Sequence, residues 1–444
     1  MILSEHVTYS KNIQVKCCTD VLVVGGGPAG IAAAVMCARV QKETGGNVLL
    51  LEQTGTFGGS STLAGVPEIM NFDDGANFLA KGFGRMVCEA LYGSDSGKNA
   101  EKFARRCRNV RMEELKLLYD RLMQESGAQF YFYTKVIDVI MWDDSVRYVV
   151  VSSPEGMYAI EARVVIDCSG QGSVCVAAGC DYEYGDENGR PMPATLCSLW
   201  GGVDFKRKAK DNCALEQAHK DHVFSQYDMI LPGIKATYPE VGVGGGNVGH
   251  CFGVLDYDTR SMTDAMIHGR KRLEEYQAYY NKYVPGCEKA VLLDSSNYLG
   301  IRESRRIKCI DTLRREHYFE EGITKDEIGR YSYPIDIHPM TPSCEGMNQF
   351  NRDVSVKHKT GQSYSIPYGC LVPKGIRNML VAGRNIGADH AMQASVRVIP
   401  CCYITGQAAG VAAAVCAAEG ISTSDIDILK LQEKLERICL EASN

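Results

Sequence analysis

The stretch Val21-Leu-Val-Val-Gly-Gly-Gly-Pro-Ala-Gly30 decides the fold. Four apolar, mostly β-branched residues predict a buried parallel strand. Gly25, Gly27 and Gly30 then complete a G-x-G-x-x-G turn, which Ile31-Ala-Ala-Ala-Val-Met-Cys-Ala-Arg39 continues as a helix. In such a turn the first glycine permits the tight bend. The second lets the backbone approach a pyrophosphate, and the third lets the helix pack close to the strand. The helix N-terminus offers unpaired N–H groups and a positive dipole end to phosphate. A second strand, Asn47-Val-Leu-Leu-Leu-Glu52, ends in an acid about twenty residues beyond the last glycine, where a ribose hydroxyl is held. Strand, turn, helix and acid together predict a dinucleotide-binding βαβ unit over residues 20–60.

The rest of the chain bounds the answer. Its 444 residues exceed what one compact core holds, so two domains are expected. The balance of 48 basic and 54 acidic residues gives no basic footprint for nucleic acid. The longest apolar stretch, Ala408 to Ala418, is too short to span a bilayer. The start, Met1-Ile-Leu-Ser-Glu-His-Val-Thr, lacks the basic region and apolar run of a secretory signal. No C-x-x-C pair occurs among the 19 cysteines, so zinc and ferredoxin-type cluster spacings are absent and no metal is expected. Many thiols without a signal suggest free cysteines in a reducing cytoplasm.

Helical periodicity runs from Met112 to Gln124 and stops at Gly127. Strand-like runs follow at Gln129–Tyr133, Val136–Met141 and Val146–Val151, as in a β-meander, and then at Ala162–Gly170. From about Arg190 to Ser363 the pattern changes. Long charged helical stretches such as Arg270–Tyr283 alternate with Gly-rich segments, which reads as an inserted domain. The Gly-rich Val241–Gly249 reads as a flexible loop. The chain returns to a buried strand at Asn378–Arg384, then a small-residue helix near Ile399–Glu419 and an amphipathic helix from Ser424.

Only one dinucleotide fingerprint is present. A cofactor bound by one N-terminal fingerprint and met again by later segments is long, which favours FAD over NAD. Here the chain resembles the FAD-dependent oxidoreductases of the glutathione-reductase-type fold, in particular the broad bacterial family named simply FAD-dependent oxidoreductase. The match rests on the fingerprint with Glu52, Phe57-Gly-Gly-Ser-Ser-Thr62, Val165-Ile-Asp-Cys-Ser-Gly-Gln-Gly172 and Met192-Pro-Ala-Thr-Leu196. It continues through Gly300-Ile-Arg-Glu-Ser-Arg-Arg-Ile307, Asp336-Ile-His338 and Ile366-Pro-Tyr-Gly-Cys-Leu-Val-Pro373. It closes with Leu380-Val-Ala-Gly-Arg384, Arg397-Val-Ile-Pro400 and Gly406-Gln-Ala-Ala-Gly410. One departure is Gln171, where the family usually carries an acid.

The resemblance implies an α/β architecture. A FAD-binding domain (residues 1–189 and 364–444) has a parallel sheet, helices and a β-meander, and an α+β substrate domain (190–363) is inserted into it. It implies non-covalent FAD held by Gly25, Gly27, Pro28, Ala29, Gly30, Glu52, Gln53, Gly58, Gly59, Ser60, Val136, Ser169, Gly170, Gly383 and Arg384. Arg384 could neutralise phosphate. The helix beginning near Pro400 could aim its N-terminus at the flavin and stabilise negative charge there.

Flavin carries the hydride, so the protein must supply orientation and proton handling. His390 and His338 are the expected acid or base, each near a predicted strand end. His250, beside Cys251, is a weaker candidate. Arg302, Arg305 and Arg306 form a dense basic cluster; Arg302 and Arg306, four apart and so on one face of a helix, are expected to clamp a substrate carboxylate or to form an interdomain ion-pair network. Arg397 is expected at substrate or flavin. Cys401-Cys402 read as buried thiols rather than a redox pair. The leading expectation is hydride transfer between flavin and a small hydroxylated or sugar-like metabolite, with an unidentified electron partner. Reduction or desaturation of a C–C bond is the alternative within the class, and a flavin-loaded electron carrier is the alternative outside it. RNA modification is disfavoured by the acidic balance. With no second fingerprint, slow or absent turnover with NAD(P)H is expected.

Overall fold

The computed structural model describes residues 6–93, 107–228, 233–320 and 322–441; Met1–Glu5, part of the segment read for a secretory signal, lie outside them. A seven-stranded sheet organises the larger core. Its order is Gln129–Tyr131, Val48–Leu51, Val15–Val24, Gly156–Asp167, Ser145–Ser153 and Lys135–Trp142. Met379–Val381 joins it beside the C-terminal half of Gly156–Asp167. The first four of these strands and Met379–Val381 run parallel; the other two form the meander. Val21, Leu22 and Val23 are fully buried, as a strand covered on both faces must be.

Two helices cross on one face of this sheet, Pro28–Thr44 and Ile399–Glu419. Their small residues have a packing cause. A Cβ on Gly406 would lie 2.1 Å from the carbonyl oxygen of Ala29, and one on Gly410 2.1 Å from that of Ala33. Backbone meets backbone at this crossing. The 21-residue helix Ile399–Glu419 is long and apolar enough to cross a membrane, although only Ala408–Ala418 stood out in the sequence. It is buried almost throughout, so here it is a core element.

A second core lies under a four-stranded antiparallel sheet in the order Ile234–Tyr238, Val243–Gly246, Ser198–Gly201 and Val291–Ser295. Helix Thr259–Tyr283 packs Leu273, Tyr276 and Tyr280 into it, with Tyr280 edge-on to Trp200 at 5.5 Å. The Gly-rich segment is therefore a correction: Val243–Gly246 is an interior strand, not a flexible loop. A Cβ on Gly246 would lie 2.5 Å from Trp200 Nε1, and one on Gly245 2.4 Å from Pro67 Cβ. The glycines admit those neighbours. Residues from Ile307 onward, including Leu313 and Tyr331, pack in the larger core, while the smaller one spans Ala194 to Leu299.

Candidate active site

The fingerprint forms one wall of a groove of about 230 Å³ at the C-terminal ends of the parallel strands. Gly25 has φ +101°, and a Cβ there would lie 2.6 Å from Cys168 O. Gly30 packs against Gly25 O, where a Cβ would overlap at 1.8 Å. Both serve the wall from behind. Gly27, with nothing within 4 Å of a built Cβ, is the bare position facing the groove. Pro28, Ala29, Glu52, Gln53, Gly59, Ser60, Ser169, Gly170, Gly383 and Arg384 line it with Gly27. Gly58 sits behind the lining and donates its N–H to Gly26 O at 2.8 Å. Val136 lies outside the groove, in the first meander strand.

Two buried carboxylates set the loops. Glu52 Oε2 accepts from Gly26 N at 2.7 Å, and Oε1 from Thr54 N and Oγ1 at 2.8 and 2.9 Å. Asp167 was not singled out in the sequence, although an acid ending Val-Val-Ile-Asp was its signal. Its Oδ1 accepts from Ser169 N and Oγ at 3.0 and 2.6 Å, and its Oδ2 from Val174 N and Cys175 N, both at 2.9 Å. At the unusual Gln171, the side-chain amide donates to Asp256 O and Oδ2, both at 3.1 Å. An amide there faces an acid supplied by another segment.

Arg384 completes the groove. Its guanidinium lies over Gly170, where a Cβ would come within 2.8 Å of Cζ. Its Nε is buried without a hydrogen-bond partner. Burial holds its pKa below the usual arginine value. An unpartnered guanidinium nitrogen, a bare glycine and a helix N-terminus converge here, a donor set that fits the diphosphate of FAD.

A second cavity of about 300 Å³ adjoins the groove, sharing Ser60, Ile301, Arg384 and Arg397 with it. His338 lines it and is 3% exposed. A buried chain stands behind His338. Asp228 accepts from His250 N at 2.8 Å through Oδ2, and its Oδ1 lies 2.8 Å from His250 Nδ1. His250 Nε2 lies 2.9 Å from His338 Nδ1. Tyr276 OH and Arg272 also face Asp228, at 3.3 and 3.6 Å. Burial alone would raise the Asp228 pKa; His250, its backbone N–H and Arg272 outweigh this and hold it well below the usual carboxylate range. An ionised Asp228 accepts a hydrogen bond from His250 Nδ1–H. With His250 neutral, its Nε2 is the acceptor and His338 carries its proton on Nδ1. That leaves a lone pair on His338 Nε2. The neighbouring Asp336 Oδ1, at 3.5 Å, is at the edge of hydrogen-bond reach. Asp336 Oδ2 instead accepts from Arg397 Nη2 at 2.8 Å.

Burial, reinforced by the charge of Arg302, pushes the His338 pKa down to about 3. A free histidine titrates near ~6.5. Between those values the unfolded chain binds a proton that the folded one refuses. The stability from a neutral His338 is therefore present above ~6.5 and lost as pH falls toward 3, by up to about 1.4 kcal/mol per pH unit. Urea unfolding between about pH 6 and pH 5 should lose stability with a slope that His338→Gln makes shallower by close to one proton.

The other expected residues divide. His390 lines neither cavity. Its Nδ1 lies 2.9 Å from Glu303 Oε1, and Glu303 also pairs with Arg306. Arg302 and Arg306 share no helix face, because Arg306–Ile307 is a strand paired with Tyr182–Glu183. Arg306 joins the Glu303 network, Arg305 stacks over Tyr182 and Tyr257, and Arg302 alone reaches the second cavity. Cys401 and Cys402 are successive residues of a helix, so their side chains diverge. Cys402 faces the groove, whereas Cys401 is fully buried in the core.

Among solved structures the chain is similar to a geranylgeranyl bacteriochlorophyll reductase-like protein from Thermoplasma acidophilum, with 12% identity, 96% of this chain and 83% of that one covered, and a TM-score of 0.46. It is also similar to p-nitrophenol 4-monooxygenase from Pseudomonas putida, with 13% identity, 96% and 86% covered, and a TM-score of 0.46. No curated protein sequence matches it. The family profile described as FAD dependent oxidoreductase matches residues 20–435, nearly the whole chain, and the protein belongs to that family of flavoenzymes.

Proposed function

We propose that the protein dehydrogenates a small hydroxylated metabolite, with His338 as the base. The observation that carries this is the Asp228–His250–His338 chain, which orients the His338 imidazole in the cavity beside the cofactor groove; with both imidazoles neutral, His338 Nε2 is the open acceptor. Oxidation of an alcohol needs a proton acceptor; reduction of an activated double bond needs a donor. A neutral imidazole has the free lone pair that the first task needs, and a bound substrate has to offset the burial that weakens it as a base. FAD, when bound, supplies the acceptor for the two electrons and the hydrogen that leave the substrate carbon. The hydroxyl proton goes to His338 Nε2.

The chain's own residues hold that cofactor. Gly27 and the start of helix Pro28–Thr44 would meet the diphosphate and Arg384 would neutralise it, while Glu52, both of whose oxygens are held by Gly26 and Thr54, sets the turn beside them. Arg397, Val398 and Ile399 put the N-terminus of the long helix at the junction of groove and cavity, where its dipole favours negative charge on the cofactor. One N-terminal fingerprint, a meander and a final strand returning beside Gly156–Asp167 support a glutathione-reductase-type FAD domain. The 190–363 segment supplies the substrate side through His250, Arg302 and His338.

The test is anaerobic. Purified yellow protein is mixed with a panel of small alcohols, sugars and hydroxy acids, and the flavin absorbance near ~450 nm is followed. Bleaching by a hydroxylated compound, with little or none by NADPH, is expected. Rapid bleaching by NADPH, or by a redox protein alone, would sink the proposal.

A further inference from the structure

We infer that the second cavity binds the carboxylate of its ligand through Arg302, so that the metabolite is a hydroxy acid. This rests on the dehydrogenation just proposed and deepens it. Arg302 is 8% exposed and lines the cavity. Its Nη1 donates to Pro193 O and Thr195 Oγ1, both at 2.8 Å, and its Nη2 only to Asn247 Oδ1 at 3.5 Å. All three acceptors are neutral. A buried guanidinium is costly without a counter-charge. Each acid that could supply one is engaged. Glu303 is held by Arg306 and His390, Asp336 by Arg397, and Asp228 by His250. Glu68, the other acid of the cavity wall, pairs with Lys235 at 3.4 Å.

The guanidinium stays charged regardless. Burial, with Arg397 nearby, pushes its pKa down only to about 10. Cation and base therefore share one small chamber. A ligand with an anionic group at one end and a hydroxyl at the other answers both. A planar carboxylate matches the fork of a guanidinium, whereas a neutral amide leaves the charge unanswered. The cavity volume is at the small end of ligand pockets, which suits a small acid.

The experiment uses the holo-protein and needs no turnover. Small carboxylates without a hydroxyl, such as acetate and propanoate, are titrated against their primary amides. Thermal stability and the absorbance of the bound flavin are read. Saturable shifts with the acids and none with the amides are expected. Arg302→Lys, which keeps the charge but loses the fork, should weaken carboxylate binding about tenfold or more and leave FAD affinity and flavin potential unchanged. If no carboxylate perturbs the wild-type protein, the inference fails whether or not any variant folds. It also fails if Arg302→Lys loses FAD or shifts the potential while carboxylate affinity stands, because the arginine then serves the flavin. Reduction by uncharged alcohols with no carboxylate binding overturns the ligand class and spares the dehydrogenation. Carboxylate binding with no hydroxy acid reducing the flavin upholds the anion site and sinks the dehydrogenation.

Discussion

His338→Asn should slow anaerobic flavin reduction by the best hydroxylated substrate about 10²- to 10⁴-fold, the range for losing a positioned base. FAD content should hold, because His338 is not in the groove wall. Residual activity should climb steeply with pH as hydroxide takes over the proton. His250→Asn removes the ring that fixes the tautomer, and a loss of about 10- to 100-fold is expected by analogy with partners one shell out. Stopped-flow absorbance measures both. A His338→Asn enzyme within a factor of three of wild type (about 0.7 kcal/mol in barrier) would remove the base from the mechanism.

Gly406→Ala should be strongly destabilising for a single-methyl change. The added Cβ would sit 2.1 Å from Ala29 O, a backbone atom that cannot rotate away. The two helices must part, and overpacking of this kind costs about 3 kcal/mol or more. Ala29 also lines the groove, so the strain should reach the cofactor and lower FAD affinity. Differential scanning calorimetry with a count of released flavin measures both effects. Gly322→Ala is the control, with nothing within 4 Å; its change should stay within about 0.5 kcal/mol. Equal melting temperatures for the two variants would refute the close crossing.

The cofactor half of the molecule was legible because its demands are local. A glycine that must bend at Gly25, one that must be bare at Gly27 and an acid ending the next strand are consecutive requirements on one stretch of chain. Helix Ile399–Glu419 was legible for a related reason, since its small residues advertise a close neighbour. The base was legible only by halves. His338 stood out near a strand end, but its orientation depends on His250 and Asp228, which are far from it in sequence. Asp228 follows Tyr227 with no motif around it, and only the turn of the chain beside Tyr276 gives it a task. Val243–Gly246 failed as a reading because glycine signals freedom in a sequence. Here it signals the bulk of Trp200 and Pro67. The arginine cluster misled in the same way, since spacing by four implies a shared face only inside a helix.

The Asp228–His250–His338 chain straddles the two cores. Asp228 and His250 are held by the smaller one, through Tyr276 and Cys251, while His338 follows Ile335 of the larger. A gap of about one ångström at the seam would outrun a hydrogen bond and free the imidazole to pick up its proton on either nitrogen. The proposed chemistry thus depends on the closed joint. On the proposed mechanism, loosening the seam would leave the groove wall and its cofactor donors intact while taking away the base.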